Sequence, residues 1–152
     1  MRPFDYFAPQ SLPEACRLLS DSGDGARILA GGTDVLVELR KSSVQTPKLI
    51  VDIGRISELR GIVESAGDIV IKPLTTHAEV LRSAVVARSA RLLQAAVSLI
   101  GSPQVRNRGT VGGNVMNAAA CADTVPPLMA LNAVVKLVSA SGAREIPIAD
   151  FF

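Results

Sequence analysis

The chain has 152 residues, of which 48% are hydrophobic and 20% are charged, and its formal net charge is +2. This length and composition suit one compact domain with a sizeable core and exclude an intrinsically disordered chain. The 16 basic and 14 acidic side chains are spread along the sequence and only 3% of residues are aromatic, so no nucleic-acid or membrane surface is indicated.

The first third of the chain alternates predicted helices and strands. Ser11 and Glu14 form a capping box for a first helix. The elements that follow are a strand over 27–30, a helix over 35–41 and an apolar strand over 49–53. This order indicates a small βαβ-like unit, and we expect a small α/β subdomain over residues 1–54.

A glycine pair follows the first of these strands, in the run Ala30-Gly31-Gly32-Thr33-Asp34. The missing Cβ atoms let backbone N–H groups approach phosphate oxygens closely, and a hydroxyl directly after the pair adds a donor. Asp34 falls at the predicted N-cap of the next helix, whose dipole favours an anion there. A plain turn is the alternative interpretation of the pair, and the capping role of Asp34 is expected in either case.

The remainder, residues 55–152, has the pattern of a second, larger α+β subdomain. Its predicted elements are a strand pair over 61–64 and 68–71, a helix that starts at Thr76 with Glu79 in a capping box, a long helix over 89–100, and a closing hairpin over 134–138 and 144–148. In the long helix, one face carries Leu92, Leu93, Ala96, Val97 and Ile100.

A second glycine pair lies in Thr110-Val111-Gly112-Gly113-Asn114, after a segment that we interpret as extended. Arg106 and Arg108 precede it. Either pair alone is weak evidence, because glycine pairs are common in turns. Two pairs with a polar residue at the same relative place favour a clamp for a diphosphate.

The remaining reactive residue types give little indication of chemistry. Cys16 and Cys121 lack the spacing of a disulfide framework, a zinc site or an iron-sulfur site, and we interpret both as packing residues. His77 is the one histidine, and without a second ligand or carboxylate partner we assign it no chemistry. Neither a signal peptide nor an apolar run of membrane-spanning length is evident, so we expect a cytoplasmic protein.

Residues 104–114, together with Ala122-Asp123-Thr124-Val125-Pro126-Pro127-Leu128, resemble the FAD-binding domain in flavin subunits of molybdenum hydroxylases. This is the family of xanthine dehydrogenase and aerobic carbon monoxide dehydrogenase. The resemblance includes Phe4-Asp5-Tyr6, the run from Ala30 to Asp34, and Leu74-Thr75-Thr76-His77-Ala78-Glu79, and it extends from Phe4 to about Phe152. It implies an α+β FAD-binding fold of the p-cresol-methylhydroxylase and vanillyl-alcohol-oxidase (PCMH/VAO) type.

The resemblance also implies a site for non-covalently bound FAD. The two glycine runs would hold the diphosphate, Asp123 would accept from ribose hydroxyls, and Thr75 and Thr76 would bond the flavin ring or a phosphate. The implied cofactor-binding residues are Ala30, Gly31, Gly32, Thr33, Asp34, Thr75, Thr76, Thr110, Gly112, Gly113, Asn114 and Asp123. Two structural alternatives stay open, a helix start at Thr76 and a helix cap at Asp123. No catalytic residue and no metal ligand are implied within this chain.

The implied function is electron transfer within a multi-subunit molybdopterin dehydrogenase. Molybdopterin would sit on a large subunit and 2Fe-2S clusters on a small one, and the FAD would pass electrons to NAD, oxygen or another acceptor. Departures from the family pattern are Lys72-Pro73 and Ala119-Ala120. Family members continue beyond Phe152, so we expect a C-terminally incomplete domain. The alternatives are a truncated, non-enzymatic nucleotide-binding or assembly module and, less favoured, a self-sufficient flavin oxidase.

Overall fold

The computed structural model describes residues 3–41, 46–119 and 122–152. Its first layer is a parallel three-stranded sheet of β1 (Asp5–Phe7), β2 (Ala26–Leu29) and β3 (Leu49–Asp52), in the order β1-β3-β2. Ala26 pairs with Leu49 and Leu29 with Asp52, so β2 and β3 end at the same edge. The predicted βαβ-like unit is therefore present.

Helix α1 (Leu12–Ser22) covers one face of this sheet. It begins where the Ser11 hydroxyl accepts a hydrogen bond from the Glu14 N–H at 3.4 Å, and it ends at Gly23 with φ +49°. Ala15 packs with Val51 and Ile56 in a small core. Cys16 is buried in the same helix, as the sequence predicts, whereas Cys121 lies outside the described residues.

Two antiparallel hairpins lie before α3 and after α8 in the chain. Strands β4 (Ile62–Ser65) and β5 (Asp68–Ile71) meet at Ala66-Gly67, where both residues have positive φ, and β6 (Val134–Ser139) pairs with β7 (Gly142–Pro147). Parallel sheet, hairpins and helices together make the predicted α+β architecture.

Seven further α-helices and four short 3-10 helices lie in the described part of the chain. The α-helices are α2 (Val35–Glu38), α3 (His77–Arg82), α4 (Ala84–Ser89), α5 (Arg91–Ser98), α6 (Pro103–Arg108), α7 (Val111–Asn117) and α8 (Val125–Ala130). Val80, Leu93, Val97, Val111 and Val115 belong to the main core, which joins α3, α5 and α7. No helix among the described residues is long and apolar enough to span a membrane.

Two predicted helices differ from the observed ones. The long helix over 89–100 is divided, because Ala90 has φ −140° and ψ 48° and separates α4 from α5. Leu93, Val97 and Ile100 face the core as expected, but Leu92 is exposed. The helix predicted to reach residue 41 is a single turn that ends at Glu38.

Candidate functional site

The first glycine loop, Ala30 to Asp34, leaves the carboxyl end of β2 and leads into α2. Gly32 has φ +80°, a conformation that side-chain-bearing residues rarely adopt. The backbone N–H groups of Gly31, Gly32, Thr33 and Asp34 donate no hydrogen bond to any residue that the structure describes. This loop therefore offers a set of unused donors.

Asp34 occupies the expected N-cap position, but the capping interaction predicted for it is wrong. Its backbone is already helical, with φ −95° and ψ −50°, and its side chain makes no cap hydrogen bond. A capping side chain needs an extended backbone to reach back to the helix N–H groups. The carboxylate of Asp34 is consequently free of that role.

The second glycine run is the start of a helix. Thr110 is the N-cap of α7, and its hydroxyl accepts from the Gly113 N–H at 3.1 Å. Gly109 and Thr110 are extended, but the chain before them is helix α6, so the interpretation of the preceding segment as extended is right for these two residues and wrong for the rest. The N–H groups of Gly112 and Asn114 donate to the carbonyl oxygens of Pro73 and Thr110. Unlike the first loop, this one has already used its donors.

The structure brings the two runs into contact. A Cβ added to Gly31 would overlap the carbonyl oxygen of Arg108 and lie 3.0 Å from the Cα of Gly109. A Cβ on Gly113 would lie 3.9 Å from that of Ala30. Glycine at position 31 is thus what allows the first loop to approach the backbone that leads into the second.

The segment around Thr75 and Thr76 is bonded through its backbone to the second glycine run. Thr76 forms a β-bridge with Thr110, and the Val111 N–H donates to the Thr75 carbonyl oxygen at 2.9 Å. The Thr75 side chain is fully buried, and its hydroxyl donates to the Gly61 carbonyl at 2.8 Å. A direct contact between Thr75 and a cofactor has no support in this geometry, and the observed role of Thr75 is to hold the second loop.

Thr76 caps α3, which is one of the two roles considered for it. Its hydroxyl accepts from the Glu79 N–H at 3.2 Å and donates to Glu79 Oε2 at 2.7 Å, while its own N–H donates to the same carboxylate. The capping box is therefore complete. Contact between Thr76 and a cofactor stays a prediction.

Asn114 connects the second run to the segment that carries Asp123. Its Oδ1 accepts from the N–H and the hydroxyl of Thr124, at 3.3 and 2.5 Å. The N-cap residue of α8 is Thr124 and not Asp123, so the alternative cap role of Asp123 is not observed. Asp123 is exposed, and its carboxylate pairs with no described residue.

His77 is the residue at this site that the sequence interpretation missed. The backbone N–H of His77 donates to the Gly109 carbonyl oxygen at 3.0 Å. The edge of its ring lies 2.9 Å from where a Cβ on Gly109 would stand. Burial lowers the pKa of the imidazole, while the carboxylates of Asp123 and Asp34 raise it in part. Both carboxylates therefore lie close enough to affect the charge of this ring, which is beside Gly109. The sequence contains one indication of this role, namely that His77 directly follows Thr75 and Thr76, which are themselves candidate site residues.

Comparisons with known proteins identify the family of the chain. The family model described as the FAD binding domain in molybdopterin dehydrogenase matches residues 2–152. The chain is 41% identical over 152 residues to the 6-hydroxypseudooxynicotine dehydrogenase complex subunit alpha of Paenarthrobacter nicotinovorans, covering 99% of this chain and 51% of that protein. It is 38% identical over 149 residues to the carbon monoxide dehydrogenase medium chain of Hydrogenophaga pseudoflava, covering 98% and 52%.

Solved structures give the same result. Carbon monoxide dehydrogenase from Hydrogenophaga pseudoflava aligns with a TM-score of 0.94 at 38% identity, over 100% of this chain and 53% of that one. Quinoline 2-oxidoreductase from Pseudomonas putida 86 aligns with a TM-score of 0.93 at 34% identity, over 99% and 52%. The chain thus spans about half the length of the relatives that it matches. It belongs to the FAD-binding domain family of the molybdopterin dehydrogenases.

Proposed function

We propose that this chain is the FAD-binding portion of the flavin subunit of a molybdenum hydroxylase and holds FAD non-covalently across its two glycine runs. The observation that carries the proposal is the contact of Gly31 with the backbone of Arg108 and Gly109, beside four unused N–H donors. A diphosphate needs such donors at close range, because its charge is spread over several oxygens.

The residues present fit this cofactor unequally. The N–H groups from Gly31 to Asp34 donate to no described residue and would bind diphosphate oxygens, whereas the N–H groups of Gly112 and Gly113 are already paired within the protein. The second run contributes its shape and the amide of Asn114, whose NH2 group donates to no described residue. Asp123, which is exposed and has no capping role, is assigned to ribose hydroxyls.

The bound FAD supplies the electron-transfer chemistry, and this chain's residues bind and orient it. We assign no acid, base or nucleophile to the chain. Its partners would be a molybdopterin-binding large subunit and a 2Fe-2S small subunit, and its acceptor NAD, oxygen or another oxidant. The names of two relatives, a medium chain and a complex subunit alpha, support a multi-subunit assembly. A cytoplasmic location stays a prediction.

Titration of the purified chain with FAD, followed by calorimetry and by the flavin absorbance spectrum, tests the proposal. We expect saturable binding to the wild type and at least a tenfold weaker affinity for Gly31→Ala, because the new Cβ would push the runs apart. Gly25→Ala is the matched control, since a Cβ there would make ordinary contact with the Lys48 side chain at 3.4 Å. A folded wild-type chain that does not bind FAD would overturn the proposal.

A further inference from the structure

His77 has one ring nitrogen that is sealed from solvent and unpaired. The residue is 3% exposed, and Nδ1 is a buried side-chain atom without a hydrogen-bond partner among the described residues. A buried N–H without an acceptor is rarer and costlier than a buried lone pair. The proton of the neutral ring therefore belongs on Nε2.

The other nitrogen, Nε2, lies at the junction of the two glycine runs. It is 3.2 Å from where a Cβ on Gly109 would stand, and a Cβ on Gly31 would lie 3.0 Å from the Cα of the same glycine. Nε2 makes no hydrogen bond to a described residue, yet it is not among the atoms sealed from solvent. Among the described residues, Nε2 thus has no hydrogen-bond partner, and it lies beside the proposed diphosphate site.

Burial, and not the charged groups around the ring, keeps the imidazole of His77 neutral. Asp34 from the first run and Asp123 from the segment before α8 act on the imidazole. On α6, which packs against α3, Arg106 is bound to the carbonyl oxygens of Ile100 and Gly101. On α3 itself, Glu79 is bound to Thr76. Burial of the ring disfavours the imidazolium, so the site retains a donor that carries no charge.

We propose that His77 is a ligand-binding residue, and that its neutral imidazole donates a hydrogen bond from Nε2–H to an anionic oxygen of the diphosphate held between the two glycine runs. This assignment rests on the proposed FAD function. The diphosphate would then be bound by the backbone N–H groups of the first glycine run and by the side chain of His77, which lies beside Gly109.

The single histidine makes a direct test possible, because a chain labelled with 15N-histidine gives the signals of one imidazole. At pH 7 we expect the neutral Nε2–H form in the free chain. Saturating FAD or ADP should shift the Nε2–H resonance and slow its exchange with water, whereas riboflavin, which lacks the diphosphate, should leave it unchanged. An Nδ1–H form, or an Nε2 signal unchanged by saturating ADP, overturns the assignment.

Substitutions give a second, independent readout. His77→Gln places an amide near the position of Nε2 and should bind ADP within about threefold of wild type, whereas His77→Asn and His77→Phe should bind it about tenfold more weakly, the value of one hydrogen bond. Equal affinities of the Asn and Gln variants contradict the inference. If the folded wild type binds neither FAD nor ADP, the proposed function falls as well; if it binds both with His77 unaffected, this inference alone falls.

Discussion

At the scale of single residues, the glycines of the two runs meet different constraints. Gly31 is required by the close approach of the Arg108 carbonyl oxygen, and Gly112 by Pro73, whose Cβ would lie 2.5 Å from an added Cβ. Gly32 is required by its backbone conformation, with φ +80°. Substitutions at these positions therefore have different physical consequences.

Gly32→Ala should lower the free energy of unfolding by about 1–2 kcal/mol, because a left-handed conformation is strained for alanine. Gly67→Ala is the matched control, since Gly67 has φ +90° and an added Cβ would meet nothing within 4 Å. Thermal unfolding should show a loss for both variants, and a larger one for Gly32→Ala, because its Cβ would also lie 3.2 Å from Leu29 Cδ1 and 3.3 Å from Leu36 Cδ1. Calorimetry should show weaker FAD binding for Gly32→Ala only. If Gly32→Ala bound FAD as tightly as the wild type, Gly32 would not belong to the FAD site.

Asp123→Asn should weaken FAD binding by roughly 1–3 kcal/mol, as expected when a charged hydrogen bond is lost. The melting temperature of the free chain should stay unchanged, because the Asp123 side chain is exposed and caps no helix. Asp68→Asn, at an exposed hairpin position, controls for the change in net charge. A drop in stability with unchanged FAD affinity would assign Asp123 a structural role.

At the scale of elements, the helix starts of α3 and α7 are tied together by backbone bonds. Thr76 bridges Thr110, and the His77 N–H donates to Gly109. The stability of the α3 cap is therefore relevant to the second run. Burial raises the pKa of Glu79, but the hydrogen bonds from the N–H and the hydroxyl of Thr76 outweigh it and leave this pKa below its usual value.

Because the pKa of Glu79 is lower in the folded chain than in the unfolded chain, its stabilising effect is present above the unfolded pKa, about 4.3. It is lost as the pH falls through the folded value. Wild type should thus unfold at a higher temperature than Glu79→Gln at pH 7, and the difference should vanish in strong acid. Melting curves across this pH range check the prediction. A difference that is independent of pH would mean that the carboxylate does not act through its charge.

Elements with a local signature were predictable from the sequence. The Ala66-Gly67 turn and the alternating residues beside it fix the first hairpin, and the spacing of Thr76 and Glu79 fixes a helix start. The break at Ala90 was not predictable, because alanine favours helix; in the structure Ala90 has φ −140° and ψ 48° and is buried in the main core. The helical start at Gly112-Gly113 was missed because glycine disfavours helix. In the structure, the close contact of Gly112 with Pro73 and the cap at Thr110 outweigh this disadvantage.

At the scale of the whole molecule, the site depends on contacts between distant parts of the chain. The sequence indicated which glycine runs to compare, but the contact of Gly31 with Arg108 and Gly109 follows only from the packed fold. The same holds for His77, whose importance arises from burial between elements and not from its neighbours in sequence. The sequence thus predicted the two glycine runs as candidate diphosphate loops, but it did not indicate which of their N–H groups already donate hydrogen bonds within the protein.

The described site gathers groups suited to the diphosphate and ribose, so recognition by this chain should favour the ADP half of FAD. The proposed contacts are the N–H groups of the first loop, the Asn114 amide and the Asp123 carboxylate. Both glycine runs lie within the chain, which matches about half the length of its relatives. No apolar enclosure for the flavin ring is assigned to the described residues.

A competition titration with the 152-residue chain tests this claim most directly. FAD bound to the chain is displaced in parallel by ADP, by FMN and by riboflavin, and the dissociation constants are compared. The account predicts that ADP competes nearly as well as FAD, while FMN and riboflavin compete poorly. Riboflavin that binds as tightly as FAD, or ADP that does not bind at all, would contradict the assignment of the two glycine runs to the diphosphate.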